Sequence, residues 1–300
     1  MNTAVEVLAS GVAGGTSLLL AGLGETIGER AGVINLGTEG CMLVGALGAY
    51  AVAVETGSAW LGVLAGLLAG AALAAIFAGV VLLRRGNQLA TGLAMTFGAI
   101  GLTAMLGSGY ISQRAPRIGV WDIPLLRDIP WLGQILFEQD PLTYIALAAG
   151  PLAWLFLTRT RLGAAVRAAG ERPDVLSSFA WSPTRLRAGA VIAGGALSGL
   201  AGAQLSVAYT GSWFEDMTQG RGFIAVALVI FAAWNPLRVV IGALLFGTIL
   251  ALSPVFQIHE IPVNVYLLDA LPYVVTLAAL AVVARRLRNT APEALADVFG

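Results

Sequence analysis

Nine apolar runs, most of them close to 20 residues long, dominate the sequence and exclude an ordinary soluble architecture. They fall at residues 5–24, 33–54, 60–83, 88–111, 142–157, 188–209, 222–234, 237–257 and 262–284. About 20 residues of helix cross a hydrocarbon core of about 30 Å. The chain therefore reads as all-α, a polytopic membrane helix bundle of about nine transmembrane helices, with eight or ten as the neighbouring counts. Composition agrees: 11% of residues are charged and 58% hydrophobic, where a soluble domain carries roughly 25% charge. Run 222–234 is too short to span unless its ends unwind or protein buries its flanks.

Missing residue types narrow the function. All 17 basic residues are Arg, with no Lys anywhere. A Walker A loop needs a Lys on the nucleotide phosphates, so the chain has no P-loop ATP site, and Schiff-base chemistry on Lys is excluded too. One Cys and one His, Cys41 and His259, give neither a disulfide framework nor a Cys/His metal cluster. A formal net charge of zero gives no basic face for nucleic acid. No carboxylate pairs with a base or metal-ligand set, so no segment reads as an active site. Residues 1–10 carry Glu6 and no basic residue, unlike a cleavable signal.

Loop charge sets an orientation, because cytoplasmic loops collect Arg. Arg84 and Arg85, the six arginines from Arg159 to Arg187, Arg238, and Arg285, Arg286 and Arg288 all fall on alternate connections. This predicts a cytoplasmic C-terminus and, with nine spans, an N-terminus outside. The single domain, residues 1–300, then divides into an external loop at 112–141, a cytoplasmic coupling loop at 159–187 and a cytoplasmic tail at 285–300. One connection resists: residues 24–32 should be cytoplasmic, yet Glu25 and Glu29 outweigh Arg30.

Four segments break the apolar pattern. In residues 28–40, Asn35 and Glu39 are spaced i, i+4 and share a helix face. A carboxylate inside a span costs about 2.5–3.5 kcal/mol on the insertion scale, so it faces a cavity or a partner. Glu39 either lines a polar path or hydrogen-bonds a neighbouring helix. In residues 84–92, Gln88 and Thr91 share an inward face, while Asn87 suits a helix cap. In residues 159–187, Pro173 and Asp174 open a short helix over 174–181, whose apolar stripe holds Val175, Leu176, Phe179 and Trp181. So short a helix is marginal in water, so it lies on the bilayer or docks on another protein. The fourth segment, residues 213–223, sets Trp213 and Phe214 beside Glu215, Asp216 and Arg221. That combination suits a site that stacks a ring and hydrogen-bonds hydroxyls, or an interfacial aromatic belt with a local ion pair.

Together these segments resemble the integral-membrane permeases of bacterial ABC importers, in the branch that carries branched-chain amino acids, ribose and nucleosides. Residues 29–40 are similar to the Glu-Arg-x-Gly-Val-x-Asn-Leu-Gly-x-Glu-Gly stretch of the shorter, purine- or guanosine-type nucleoside permeases. Residues 220–225, Phe231 and 234–237 resemble their Gly-Arg-Gly and Trp-Asn-Pro pattern; Asn87-Gln88 and the glycines of 194–202 also fit. The resemblance implies a type II-like permease that is not itself an enzyme and holds no cofactor. ATP and Mg would be bound by partner ATPase subunits. A second permease (a heterodimer or a homodimer), an extracytoplasmic substrate-binding lipoprotein and membrane lipid complete the expected partners, in the bacterial cytoplasmic (inner) membrane.

It also implies an ATPase coupling helix at Gly170, Glu171, Pro173, Asp174, Leu176, Phe179 and Trp181. There the family's Gly-Glu-Asn-Pro, Ala-Ala and Gly-Ile are altered by Arg172, Leu176-Ser177 and Ala180-Trp181. The implied substrate path carries Asn35, Glu39, Gln88, Thr91, Trp213, Phe214 and Arg221. Nucleosides are the expected cargo, with simple sugars or branched-chain amino acids as the alternative. An ion-coupled secondary transporter is the reading from another class. It lacks the chain of intramembrane relays such proteins use, Glu39 being the acid read firmly inside a span, and no inverted repeat is visible.

Overall fold

The computed structural model describes residues 3–124, 126–287 and 292–295. All nine apolar runs become helix. Five form the first half: α1 (Thr3–Arg30), α2 (Thr38–Thr56), α3 (Ala59–Ala78), α4 (Gln88–Gly107) and α5 (Pro141–Arg159). The coupling loop holds α6 (Arg161–Glu171) and α7 (Pro173–Ser178). The second half is α8 (Pro183–Ala203), α9 (Arg221–Phe231), α10 (Pro236–Ile258) and α11 (Val265–Leu287). Among the described residues, seven helices are long and apolar enough to cross a membrane. π-helical turns at Gly79–Leu83 and Gln204–Tyr209 lengthen α3 and α8 to 25 and 27 residues.

α1 and α8 form the centre, and α2, α3, α9 and α10 pack around them. Outer helices invert the soluble pattern. α4 buries a stripe of small residues, Gly92, Thr96, Ala99, Thr103 and Gly107, and turns Leu93, Phe97, Leu102, Met105 and Leu106 outward. With lipid outside as apolar as any core, close packing of small residues drives association. The α3–α8 seam shows this: a Cβ on Gly199 would fall 2.9 Å from both Cα and N of Gly70. Gly199→Val is accordingly expected to destabilise the bundle by about 1–3 kcal/mol through overpacking. The check is a lowered melting temperature of the detergent-solubilised protein, and an unchanged one would show that the seam can open.

Two departures from the sequence reading matter for function. First, α1 runs on to Arg30, so Glu25 and Glu29 are not loop residues; they are 4% and 0% exposed. The connection keeps Arg30 without counterweight, and the anomaly in the loop charges disappears. Second, the coupling loop contains two helices rather than one. α6 was not anticipated, because Arg and Ala interleave in it without an apolar run. α7 begins at Pro173 as expected but ends at Ser178, since Ala180 turns the chain at φ 61°.

Residues 108–140 carry a 3-10 turn at Ser108–Tyr110 and a two-stranded antiparallel pairing of Trp121 with Gln139 and Asp122 with Glu138. The end of the bundle that carries α6, α7 and most arginines is its arginine-rich end, and the opposite side its far end. Of the tail read at 285–300, residues 288–291 and 296–300, Arg288 included, lie outside the described residues. Residues 292–295 pack at the arginine-rich end, where Glu293 lies 3.4 Å from Arg172.

Candidate functional site

The helix too short to span, α9, organises the site. Its 11 residues make about 16 Å of helix, roughly half of a hydrocarbon core of about 30 Å. It starts deep inside the bundle: the Arg221 Nη1 donates to the Gly14 carbonyl at 2.9 Å and lies 3.1 Å from the Ser17 hydroxyl, half way along α1. It ends at the arginine-rich end, where Trp234 meets Glu29 and Arg30. Residues 210–220 thus re-enter the bundle without regular structure. Irregular backbone at membrane depth is tolerated where protein buries it, and Trp213, Met217 and Thr218 are buried.

A helix start inside the bundle leaves amides that need acceptors. Glu39, from α2, supplies them. Its Oε1 accepts from the Thr218 hydroxyl at 2.5 Å and from the Gly220 amide at 2.9 Å, and its Oε2 accepts from the Gly222 amide at 2.5 Å. Gly220 sits at φ 76°, a left-handed conformation suited to Gly. Gly222 has no room for a side chain, because a Cβ there would lie 2.5 Å from the Cα of Glu39.

The other end of α9 is fixed by the acids missed in the sequence. The Trp234 indole donates to Glu29, and the Arg30 Nε donates to the Trp234 carbonyl at 3.1 Å. Ala233 and Trp234 both hold positive φ, 51° and 54°, strain that persists only where contacts over-determine it. Glu25 accepts from the Asn35 amide at 2.7 Å and from the Thr38 hydroxyl at 3.0 Å. Two carboxyls one helical turn apart within apolar flanks were the available signal, masked by placing them in a loop.

The predicted path residues separate into three places. Phe214 and Arg221 line a cavity of about 550 Å³ that opens from the far end down to the start of α9. Gln88 lines a second cavity of about 770 Å³ at the arginine-rich end, with Asn87, Glu171, Pro173 and Asp174. Its Oε1 also accepts from the Ile34 amide at 2.9 Å. Asn35, Glu39 and Trp213 sit in packing: the Asn35 side chain accepts from the Gly37 amide at 2.9 Å, and Trp213 fills the space left by Gly107. Thr91 packs beside Gly86, at the same end as Gln88.

The coupling-loop residues divide likewise. Leu176 is buried between α6 and α8, whereas Phe179 and Trp181 are 74% and 43% exposed. Gly170 abuts the α1–α2 turn so closely that a Cβ would lie 3.0 Å from the Gly32 amide nitrogen. Arg187, not singled out from the sequence, bridges the same two pieces. It donates to the Ala31 carbonyl at 3.1 Å and to the Ala169 carbonyl at 2.7 Å. Gly170 and Arg187 thus tie α6 to the α1–α2 turn, whose Ile34 amide is held by Gln88.

A membrane bundle that holds a half-helix started inside it, with a cavity toward either end and a surface loop packed against its turns, has the anatomy of a solute permease. The chain belongs to the branched-chain amino acid transport system / permease component family, whose profile matches residues 7–280. It is a multi-pass transport subunit of an ABC transporter, without an ATPase site of its own, and the family implies ATPase and substrate-binding partners.

Three curated relatives are informative. TsgC13 of Haloferax volcanii, provisionally named a glucose ABC transporter permease protein, is 43% identical over 84% of this chain and 78% of its own. The nucleoside ABC transporter permease protein NupC of Lactococcus lactis is 31% identical over 94% of this chain and 93% of its own. The guanosine ABC transporter permease protein NupQ of Bacillus subtilis is 33% identical over 88% and 87%. No solved structure matches the chain.

Proposed function

We propose that the chain is the permease of a nucleoside importer, working by alternating access in the cytoplasmic membrane. The C-terminus and the arginine-rich end are cytoplasmic and the N-terminus faces outside. ATP and Mg bind on separate ATPase subunits, a second permease completes the pathway, and an extracytoplasmic lipoprotein delivers the solute. The ATPase seats on α7 and its following aromatics. Movement of that helix, passed through Gly170 and Arg187, opens and closes the route between the two cavities lined by Phe214 and Arg221 outside and Gln88 inside.

The observation that carries a neutral cargo is the carboxylate of Glu39 on the start of α9. Half-helix N-termini in transporters serve as seats for anionic substrate groups. Here the protein's own carboxylate occupies that seat, so an amino acid's carboxylate finds no place and a carboxylate-free solute is favoured. The aromatic rings of the outer cavity suit a nucleoside base, and two of the relatives are named for nucleosides. A second reading, glucose, is favoured by the 43% identity to TsgC13; ring faces serve a hexose equally well.

The test is uptake by cells expressing the complete transporter against cells lacking it, with labelled guanosine, glucose and leucine. Uptake of guanosine supports the first reading and of glucose alone the second. Uptake of leucine alone rejects a carboxylate-free cargo, and uptake of none of them rejects both readings.

A further inference from the structure

The outer cavity combines features that no role discussed so far requires. Two of its walls are helices interrupted by proline: Pro254 inside α10 and Pro272 inside α11. Proline has no N–H, so the carbonyl four residues earlier loses its helical partner. Those carbonyls belong to Leu250 and Leu268, and both residues line this same cavity. Beside them on α11 stands Asp269, also on the cavity wall. Asp269 lies in the second turn of α11 and is exposed, so its carboxylate is accessible to a solute in the cavity.

Opposite lies one strong donor. Arg221 has five N–H bonds in a planar fork. Among the described residues the hydrogen bonds of its guanidinium run from Nη1, to Gly14 and Ser17, and the guanidinium rests 5.8 Å over the ring of Tyr209. Acceptors cluster on α10 and α11 while the donor sits on α9, with the rings of Tyr209, Phe214 and Tyr273 between. A carboxylate accepts hydrogen bonds from two hydroxyls at once, and a guanidinium donates two parallel bonds to oxygen.

We propose that this cavity is a solute-binding site contained within one protomer, which takes the vicinal hydroxyls of a cyclic polyol. Asp269 and the proline-freed carbonyls of Leu250 and Leu268 accept from the hydroxyls, Arg221 donates to a hydroxyl or ring oxygen, and the aromatic rings cover the ring face. At about 550 Å³ the space is in the range of small-molecule sites, about 300–1,000 Å³. The site rests on the neutral-cargo reading and deepens it: the permease itself, not the delivering protein alone, reads the sugar. The same hydroxyl pair occurs on a free hexose and on the ribose of a nucleoside.

The experiment is saturation-transfer NMR on the complete transporter in nanodiscs, without the delivering protein, using glucose, guanosine and 2′-deoxyguanosine. The wild type is expected to bind glucose or guanosine, and guanosine over its deoxy analogue if the ribose diol is the part held. Asp269→Asn should weaken binding about tenfold, the loss of one charge-assisted hydrogen bond. Pro272→Ala returns an amide to the Leu268 carbonyl and leaves a sounder helix, so folding is not at risk; it should weaken binding about threefold. Asp128→Asn, on the loop between α4 and α5, is the control with unchanged affinity.

No binding by the wild-type complex, or equal affinity in wild type, Asp269→Asn and Pro272→Ala, overturns the site. If the same wild-type complex still imports guanosine or glucose in cells, the importer reading survives that loss. If it imports neither, the importer reading falls by itself, whatever the cavity binds.

Discussion

Glu39→Ala is expected to lower the stability of the whole bundle, because three donors at the start of α9 lose their acceptor together. Thr218, Gly220 and Gly222 all donate to this one carboxylate in a site 2% exposed. Each buried donor left unmet costs about 1–3 kcal/mol, so the sum is about 3 kcal/mol or more, against a total stability of about 5–15 kcal/mol. The melting temperature of the purified protein, followed by tryptophan fluorescence, should fall by about 5 °C or more. Glu39→Gln should be intermediate, since it keeps one acceptor and turns an NH₂ toward a backbone N–H. Normal melting of Glu39→Ala combined with lost uptake would place the carboxylate on the solute path instead of in the frame.

The second large effect concerns the arginine-rich end. Phe179 is 74% and Trp181 43% exposed beside the buried Leu176, so the tip of the segment that carries α7 presents two aromatics at the surface. Aromatic anchors of this kind carry much of an interface's energy, about 2 kcal/mol or more each. The double replacement Phe179→Asp and Trp181→Asp adds the desolvation of unpaired charge. Uptake by the complete transporter is expected to fall more than tenfold, while membrane insertion and melting of the permease stay as in the wild type. Wild-type uptake in the double variant would remove these two side chains from the energy-coupling contact.

Most of the element list was legible in the sequence. Each of the nine apolar runs is a helix in the structure, because transfer of about 20 apolar residues into hydrocarbon is decided locally. The shortness of run 222–234 was visible as well, along with its two remedies, and the structure uses both: residues 232–234 leave the helix as a turn, and buried residues such as Trp213, Thr218 and Trp234 flank it. Among the described residues seven helices meet the length of a span; of the other two, α9 is this half-helix and α11 counts there only as the shorter apolar stretch Tyr266–Ala278. Glu25 and Glu29 were misplaced because loop limits were drawn where hydropathy dipped. A helix hydrogen-bonded through Arg30 does not stop at a carboxylate when a partner such as Trp234 or Thr38 waits to receive it.

The site was legible only in its residue types. Phe214 and Arg221 were chosen from one segment, and they do share a cavity; Asn35 and Gln88, chosen from two others, end up on either side of one turn. Nothing local announced that Glu39 would reach α9, some 180 residues later, or that Pro254 and Pro272 would face the same space as Asp269. A pattern along the chain records how polar each stretch is, since burial in lipid acts on residues one by one. Which polar groups meet depends on the rotation and depth of helices packed through glycine seams such as Gly70 and Gly199, and those are set only when all the helices close together.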